Sequence, residues 1–146
     1  KKRLRLEPAT PKNEDHWRMY NEMDIMLDSW PYCGTVTSAE CLMMGVPIVT
    51  LLAPGKNGCH SQNVTASILT QVGLSDLIAS SEDEYVQIAL DLARNSARLS
   101  ELKATLRQKC LATICNPEPS TLCAEVEAEF RKMWHAHLEF EALNEV

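Results

Sequence analysis

The sequence predicts an α/β protein: a parallel sheet with helices packed on it, followed by a wholly helical C-terminal part. Three observations predict it. Short apolar runs bounded by turn residues alternate with stretches of helical periodicity, an order that requires crossover connections and hence parallel strands. The runs are short and mostly apolar, as buried strands are. Near Ser81 the pattern turns helical and stays so.

The strand-like runs are about Leu4–Leu6, Ile25–Asp28, Pro47–Leu52 and Leu77–Ala79. Between them lie helix-like stretches at Asp15–Asn21, Ser38–Met44 and Gln62–Val72, the last with Val64, Ile68 and Val72 at four-residue spacing. Ser81 and Glu84 have the spacing of a capping box, opening a helix with Tyr85, Ile88, Ala89 and Leu92 on one face. Leu99, Leu102 and Leu106 mark the next helix. "CNPEPS" ends it and offers Ser120 as the cap of a last one, whose stripe of Leu122, Val126, Phe130, Met133 and Trp134 reads as core packing. The expectation is one lobe spanning residues 1–146, with a β/α part to residue 80 and a helical part from 81.

A hydrophobic share of 45% in 146 residues is enough for a packed core. The net charge of −6 argues against a nucleic-acid partner, whose phosphates need Lys and Arg; Lys1, Lys2, Arg3 and Arg5 cluster, but read as a short solvated run. No apolar run approaches the roughly 18–20 residues of a membrane span, and none follows "KKRLRLEP" as a signal sequence would require. A soluble protein of the cytoplasm, or also of the nucleus, is expected, with no membrane partner. The first residue is Lys in a strand-like "RLRLE", so the chain is expected to be a piece of a longer protein. Six cysteines lack CxxC or zinc-finger spacing and are expected as buried free thiols in a reducing compartment. The glycosylation triplet Asn63-Val64-Thr65 is expected to be a chance match.

Chemistry concentrates in "LDSWPYCGTVTSAECLMMGVPIVTL", residues 27–51. In an open parallel sheet, ligands sit outside the carboxyl ends of strands, where loops lead into helix N-termini. Here "IMLD" is the strand, "SWPYCG" the connection and "TVTSAECLMM" the start of the helix. Gly34 lets backbone approach a ligand, the free N–H groups of the helix start suit an anion, and Thr35, Thr37 and Ser38 add hydroxyl donors. Together these form a diphosphate cradle, a pattern common among α/β proteins. Glu40, one turn on, has two readings. Its carboxylate can accept from both hydroxyls of a ribose, or it can close a T-x-x-E capping box with Thr37 on its own helix. Spacing leaves both open.

"DHWRMYNEMDIMLDSWPYCGTVTSAECLMMGVPIVTL", with "NVTASILTQVGLSDLIASSEDEYVQIALDLA" after it, resembles the C-terminal catalytic lobe of the O-linked N-acetylglucosamine transferase family. This is glycosyltransferase family 41, which includes the SPINDLY-type protein O-fucosyltransferases. The likeness runs from "RLRLEP" to "FRKMW", and its strand–"PYxGTxTxxE"–"MGVPxVTL" series, "VGLxxLIA" strand and "EDEYV" helix occur in order. It implies a GT-B architecture of two Rossmann-like lobes, with tetratricopeptide repeats usually preceding them. It also implies a nucleotide-sugar donor, UDP-GlcNAc or GDP-fucose, as substrate rather than cofactor, and protein acceptors. Carried over by position, Thr35, Val36 and Thr37 fall on the diphosphate-binding turn, Glu40 on the ribose-binding acid and His16 on a histidine near the base.

Some positions depart from the family pattern. Val36 removes a hydroxyl from the turn. Asn13, with Lys12 beside it, stands where the O-GlcNAc enzymes carry a lysine near the base. The longer loop "LAPGKNGCHSQ" brings Gly55, Gly58 and Lys56, of which Lys56 is in reach of phosphate or simply solvated. His60, before a helix, is a weaker donor-site candidate; His135 and His137 are assigned no role.

The function expected is the donor-nucleotide half of a glycosyltransferase acting on Ser or Thr of proteins. The chain lacks paired carboxylates or a metal-ligand cluster in its sequence pattern, so the expected mechanism is metal-free electrostatic stabilisation of the departing diphosphate. The acceptor-side groups would lie in an upstream lobe, and no general base is named. The alternative is a degenerate, non-catalytic lobe used for nucleotide binding or protein interaction.

Overall fold

The computed structural model describes residues 3–53, 58–115 and 119–144. Lys1, Lys2, Gly55, Lys56 and the side chains of Ser120 and Leu122 lie outside the described residues. Two compact units are present, residues 1–114 and 115–146.

In the first unit the order is α1 (Asn13–Tyr20), β1 (Met26–Leu27), α2 (Val36–Met43), β2 (Ile48–Leu51), a 3-10 turn (His60–Gln62), α3 (Val64–Gln71), a second 3-10 turn (Ser75–Leu77), β3 (Ile78–Ala79), α4 (Glu82–Arg94) and α5 (Ser96–Thr113). The sheet order is β1-β2-β3. All pairings are parallel, with Met26 opposite Ile48, Leu27 opposite Val49, Thr50 opposite Ile78 and Leu51 opposite Ala79. The expected parallel α/β arrangement is present, and Ile48, Val49 and Thr50 of the central strand are all buried. That explains why β2 reads as an unbroken apolar run.

Glycines end two of the helices. Gly45 and Gly73 have positive φ (84° and 74°). Each donates to the carbonyl three residues back, and the next residue reaches five back: Gly45 N to Leu42 O and Val46 N to Cys41 O, then Gly73 N to Thr70 O and Leu74 N to Leu69 O. These are paired Schellman closures, and a side chain would strain the left-handed backbone they need. The chain turns directly from α2 into Val46 and β2. Leu42, Val46, Ile48, Val49, Leu69, Leu74, Leu102 and Leu106 form the core between sheet and helices. Each contributes about 1.5–3 kcal/mol by burial. Since α4 and α5 pack into this core, the change of pattern near Ser81 divides secondary structure within one compact unit.

Four expectations are corrected. Residues 4–6 form no strand, and Leu4 and Leu6 are exposed; a strand needs a ladder partner, and none lies beside this segment among the described residues. Of the expected stripe Val64, Ile68 and Val72, Val72 is buried and Ile68 packs half-buried on the core, but the buried residues of α3 itself are Thr65, Ala66 and Leu69. Cys33, Cys41 and Cys110 are buried free thiols, but Cys59, Cys115 and Cys123 are exposed. In the second unit α6 (Pro119–Asn144) is one long helix. Its Val126, Phe130, Met133 and Trp134 are exposed, because a single helix offers no surface of its own to bury them.

Candidate functional site

The candidate site is built on Asp28, which follows β1 directly. Its Oδ1 accepts from Ser29 N (3.0 Å) and Gly34 N (2.9 Å), and its Oδ2 accepts from Thr50 Oγ1 (2.7 Å). Asp28 is buried, so these three donors supply the solvation its carboxylate loses. They also fold the connection back over the strand end. Tyr85 of α4 donates its hydroxyl to the Asp28 carbonyl (2.9 Å), fixing the same point from the other side; burial raises the Tyr85 pKa, with the Asp28 charge adding to the shift.

From below, the turn is held by the α3 region. Cys33 donates through N and Sγ to the Ser61 carbonyl (3.2 and 3.1 Å). Thr65 Oγ1 donates to the Gly34 carbonyl (2.9 Å) and pairs with Ser38 Oγ (2.9 Å). Ser38 and Thr65 are fully buried, which turns the Ser38 hydroxyl inward. Gly34 has its own N–H spent on Asp28, and what occupies its open side is Ser38 Oγ and Thr37 Oγ1. The glycine serves the closure of the turn itself.

This leaves Thr35, Val36 and Thr37 exposed at the N-terminus of α2. The first helical bond is Ala39 N to Thr35 O (3.1 Å), so the N–H groups of Val36, Thr37 and Ser38 precede the ladder. The arrangement offers backbone N–H groups, the positive end of a helix dipole and two hydroxyls to an anion.

Glu40 does not cap its helix. The N-cap is Thr35, two residues before the position the T-x-x-E reading required, and it makes no side-chain capping bond. Instead Glu40 Oε2 lies 3.5 Å from His16 Nε2, an ion pair when the imidazole is protonated. His16, in the first turn of α1, also has Nε2 3.2 Å from the hydroxyl of Tyr20, with the two rings edge to face at 5.2 Å. The structure therefore brings His16, Glu40 and the Thr35–Thr37 turn together. Glu40 also lines a cavity of about 370 Å³ with Trp17, Met43, Met44 and Arg107. A second cavity, about 270 Å³, opens at the strand ends among Asp28, Trp30, Leu51, Glu82, Tyr85 and Val86.

The weaker candidates are more scattered. Lys12 is the exposed N-cap residue of α1, and its carbonyl accepts from Asp15 N and His16 N. His60 opens the 3-10 turn and is exposed. Lys56 lies outside the described residues. Asn63 of the glycosylation triplet has a structural task, its Oδ1 accepting from Ala53 N (3.0 Å). Among the described residues no three His, Cys, Asp or Glu side chains gather as metal ligands would.

Sequence reasoning missed Asp28, Tyr20 and Thr65. A signal existed for the first two: an acid ending a strand just before a glycine turn, and a tyrosine four residues after His16 on the same helical face. Thr65 meets Gly34 across 31 positions, and nothing local announces it.

The chain is similar in sequence and fold to known proteins. Over 136 residues the chain is 43% identical to the Hordeum vulgare protein described as "Probable UDP-N-acetylglucosamine-peptide N-acetylglucosaminyltransferase SPINDLY", covering 92% of the chain and 14% of that protein. The Arabidopsis thaliana protein of the same description is 44% identical over 134 residues, with 91% and 14% covered. A mutant of the Thermobaculum terrenum O-GlcNAc transferase superposes with a TM-score of 0.72 at 36% identity, covering 86% of the chain and 23% of that structure. The chain thus spans about one seventh of the length of these curated relatives. The sequence profile of Glycosyl transferase family 41 matches residues 1–116, and the chain belongs to that family.

Proposed function

We propose that this chain is the donor-nucleotide half of a protein O-glycosyltransferase. It holds a nucleotide sugar, UDP-GlcNAc or GDP-fucose, whose sugar is passed to Ser or Thr hydroxyls of acceptor proteins. The observation that carries the reading is the exposed Thr35–Thr37 turn at the start of α2, with Glu40 one turn on. Its carboxylate is directed at His16 rather than at its own helix. In this reading the turn takes the diphosphate, Glu40 the ribose diol, and His16 lies by the base.

The chemistry follows from charge. As the bond between sugar and diphosphate breaks, negative charge grows on the leaving phosphate. The N–H groups of Val36 and Thr37, which precede the helical ladder, and the hydroxyls of the exposed Thr35 and Thr37 stabilise that charge. Val36 supplies its backbone donor alone. An upstream lobe would bring the acceptor hydroxyl and its base, and tetratricopeptide repeats before it would bind the acceptor proteins. The names of the relatives, peptide N-acetylglucosaminyltransferases, support a protein acceptor. The second reading, a non-catalytic lobe, rests on the hydroxyl missing at Val36.

The test is Glu40→Gln in the complete protein, by calorimetric titration of UDP and of GDP with thermal melts alongside. Gln keeps the shape and loses the charge. The nucleotide that the wild type prefers should bind about 1–2 kcal/mol more weakly, with the melting temperature little changed. Unchanged affinity would remove Glu40 from the donor site. Nucleotide binding without sugar transfer by the complete wild-type protein would favour the non-catalytic reading.

A further inference from the structure

Tyr20 is a buried ionisable side chain that the reading above does not use. It is 4% exposed at the end of α1, where it joins the two halves of the candidate site. Its hydroxyl donates to the Thr37 carbonyl of α2 (3.4 Å) and lies 3.2 Å from His16 Nε2. Such a hydroxyl has one proton and can accept as well. The Thr37 carbonyl is an acceptor only, so it takes the proton, and the hydroxyl oxygen is left to accept from His16. That requires hydrogen on Nε2.

Glu40 demands the same. Its Oε2, 3.5 Å from Nε2, is also an acceptor. Two independent acceptors therefore select one form of the neutral ring, with Nε2 protonated and Nδ1 left as acceptor. The Tyr20 pKa, pushed up to about 12 by burial first and by the neighbouring Cys41 and Glu40 next, keeps the hydroxyl protonated through the neutral range.

The two acceptors differ in what happens when a nucleotide arrives. Glu40 must turn its carboxylate to the ribose, and so leaves His16. Tyr20 stays, since its ring is in the core and its proton is anchored on α2. We propose that Tyr20 is a positioning residue for the donor nucleotide, holding the His16 ring in its Nε2–H form after Glu40 is given up to the ribose. This rests on the assignment of His16 and Glu40 to the donor site. Without the hydroxyl, His16 keeps Glu40 as its remaining acceptor, and the histidine competes with the ribose for the same carboxylate.

The test is a double-mutant cycle in the complete protein with Tyr20→Phe, His16→Ala and the pair, reading UDP and GDP affinity by calorimetry and donor KM and kcat by turnover. Tyr20→Phe keeps the buried ring. It should weaken the preferred nucleotide about 3–10-fold and raise the donor KM by the same factor, with kcat within about twofold. In the His16→Ala background the same change should cost less than about twofold, because the residue it acts through is gone. Equal losses in both backgrounds would mean that Tyr20 acts through packing and would overturn the proposal. The comparison between backgrounds holds even if Tyr20→Phe lowers the melting temperature, since that loss is common to both. No loss from Tyr20→Phe where His16→Ala weakens binding would overturn the proposal and leave the donor site standing. Unchanged affinity in His16→Ala would take away its premise, the nucleotide contact of His16.

Discussion

At Gly34 the constraint comes from the turn's own side chains. A Cβ built there would lie 2.2 Å from Ser38 Oγ and 2.9 Å from Thr37 Oγ1. Ser38 is buried and tied to Thr65, so its hydroxyl cannot swing clear without breaking that pair. Gly34→Ala is expected to cost about 1–3 kcal/mol of stability, as overpacking does. Urea denaturation measures it, and Ser38→Ala in the same chain should recover part of the loss by removing the nearest atom. A Gly34→Ala protein as stable as the wild type would mean that the turn relaxes freely. From the sequence, glycine here reads as room for a ligand. The hydroxyl contacts that fill the space come from residues three and four positions on and, through Thr65, from another helix.

Among the elements, α4 shows how a sequence motif is realised with a change of partner. Ser81 caps the helix as expected, its Oγ accepting from Glu84 N (3.2 Å). The Glu84 carboxylate, which a full capping box would return to the Ser81 N–H, accepts from the hydroxyl and N–H of Ser80 instead. Ser81→Ala should therefore cost about 1 kcal/mol, read from denaturant unfolding. Ser80, through its hydroxyl first and its N–H second, holds the Glu84 carboxyl below its ordinary value of 4.5. A depressed folded pKa gives a contribution that is complete above the unfolded value and is lost as pH falls through the lower folded one. Melts of the wild type and Glu84→Gln should differ at neutral pH and converge below about pH 4.5. A gap that does not change with pH would show that the charge is irrelevant.

For the whole molecule the question is how much binding one lobe can supply. The chain spans about one seventh of the length of its curated relatives. A helix start contributes up to about 1–2 kcal/mol to an anion, and two or three charge-assisted hydrogen bonds about 1.5–3 kcal/mol each before ordering costs. A micromolar complex needs about 8 kcal/mol. A polypeptide of residues 1–146 by itself is thus expected to bind UDP or GDP more weakly than micromolar and to transfer no sugar. Calorimetry and a radiolabelled-donor assay check both; turnover by this polypeptide alone would contradict the division of labour between lobes.

The sequence by itself determined that β1 to β3 pair in parallel, because strands alternating with helices need crossover connections. It also determined the helix after "SWPYCG" and the family, since those motifs lie within short continuous stretches. Two further decisions needed the tertiary structure. "RLRLE" has strand composition but no ladder partner among the described residues, and a strand exists only as a pair. Glu40 could have closed on its own helix start; Asp28 instead takes the Gly34 N–H and the helix begins at Val36, with Thr35 as its N-cap. That leaves the Glu40 carboxylate to His16, 24 residues earlier in the chain, and no local spacing encodes a contact between two helices.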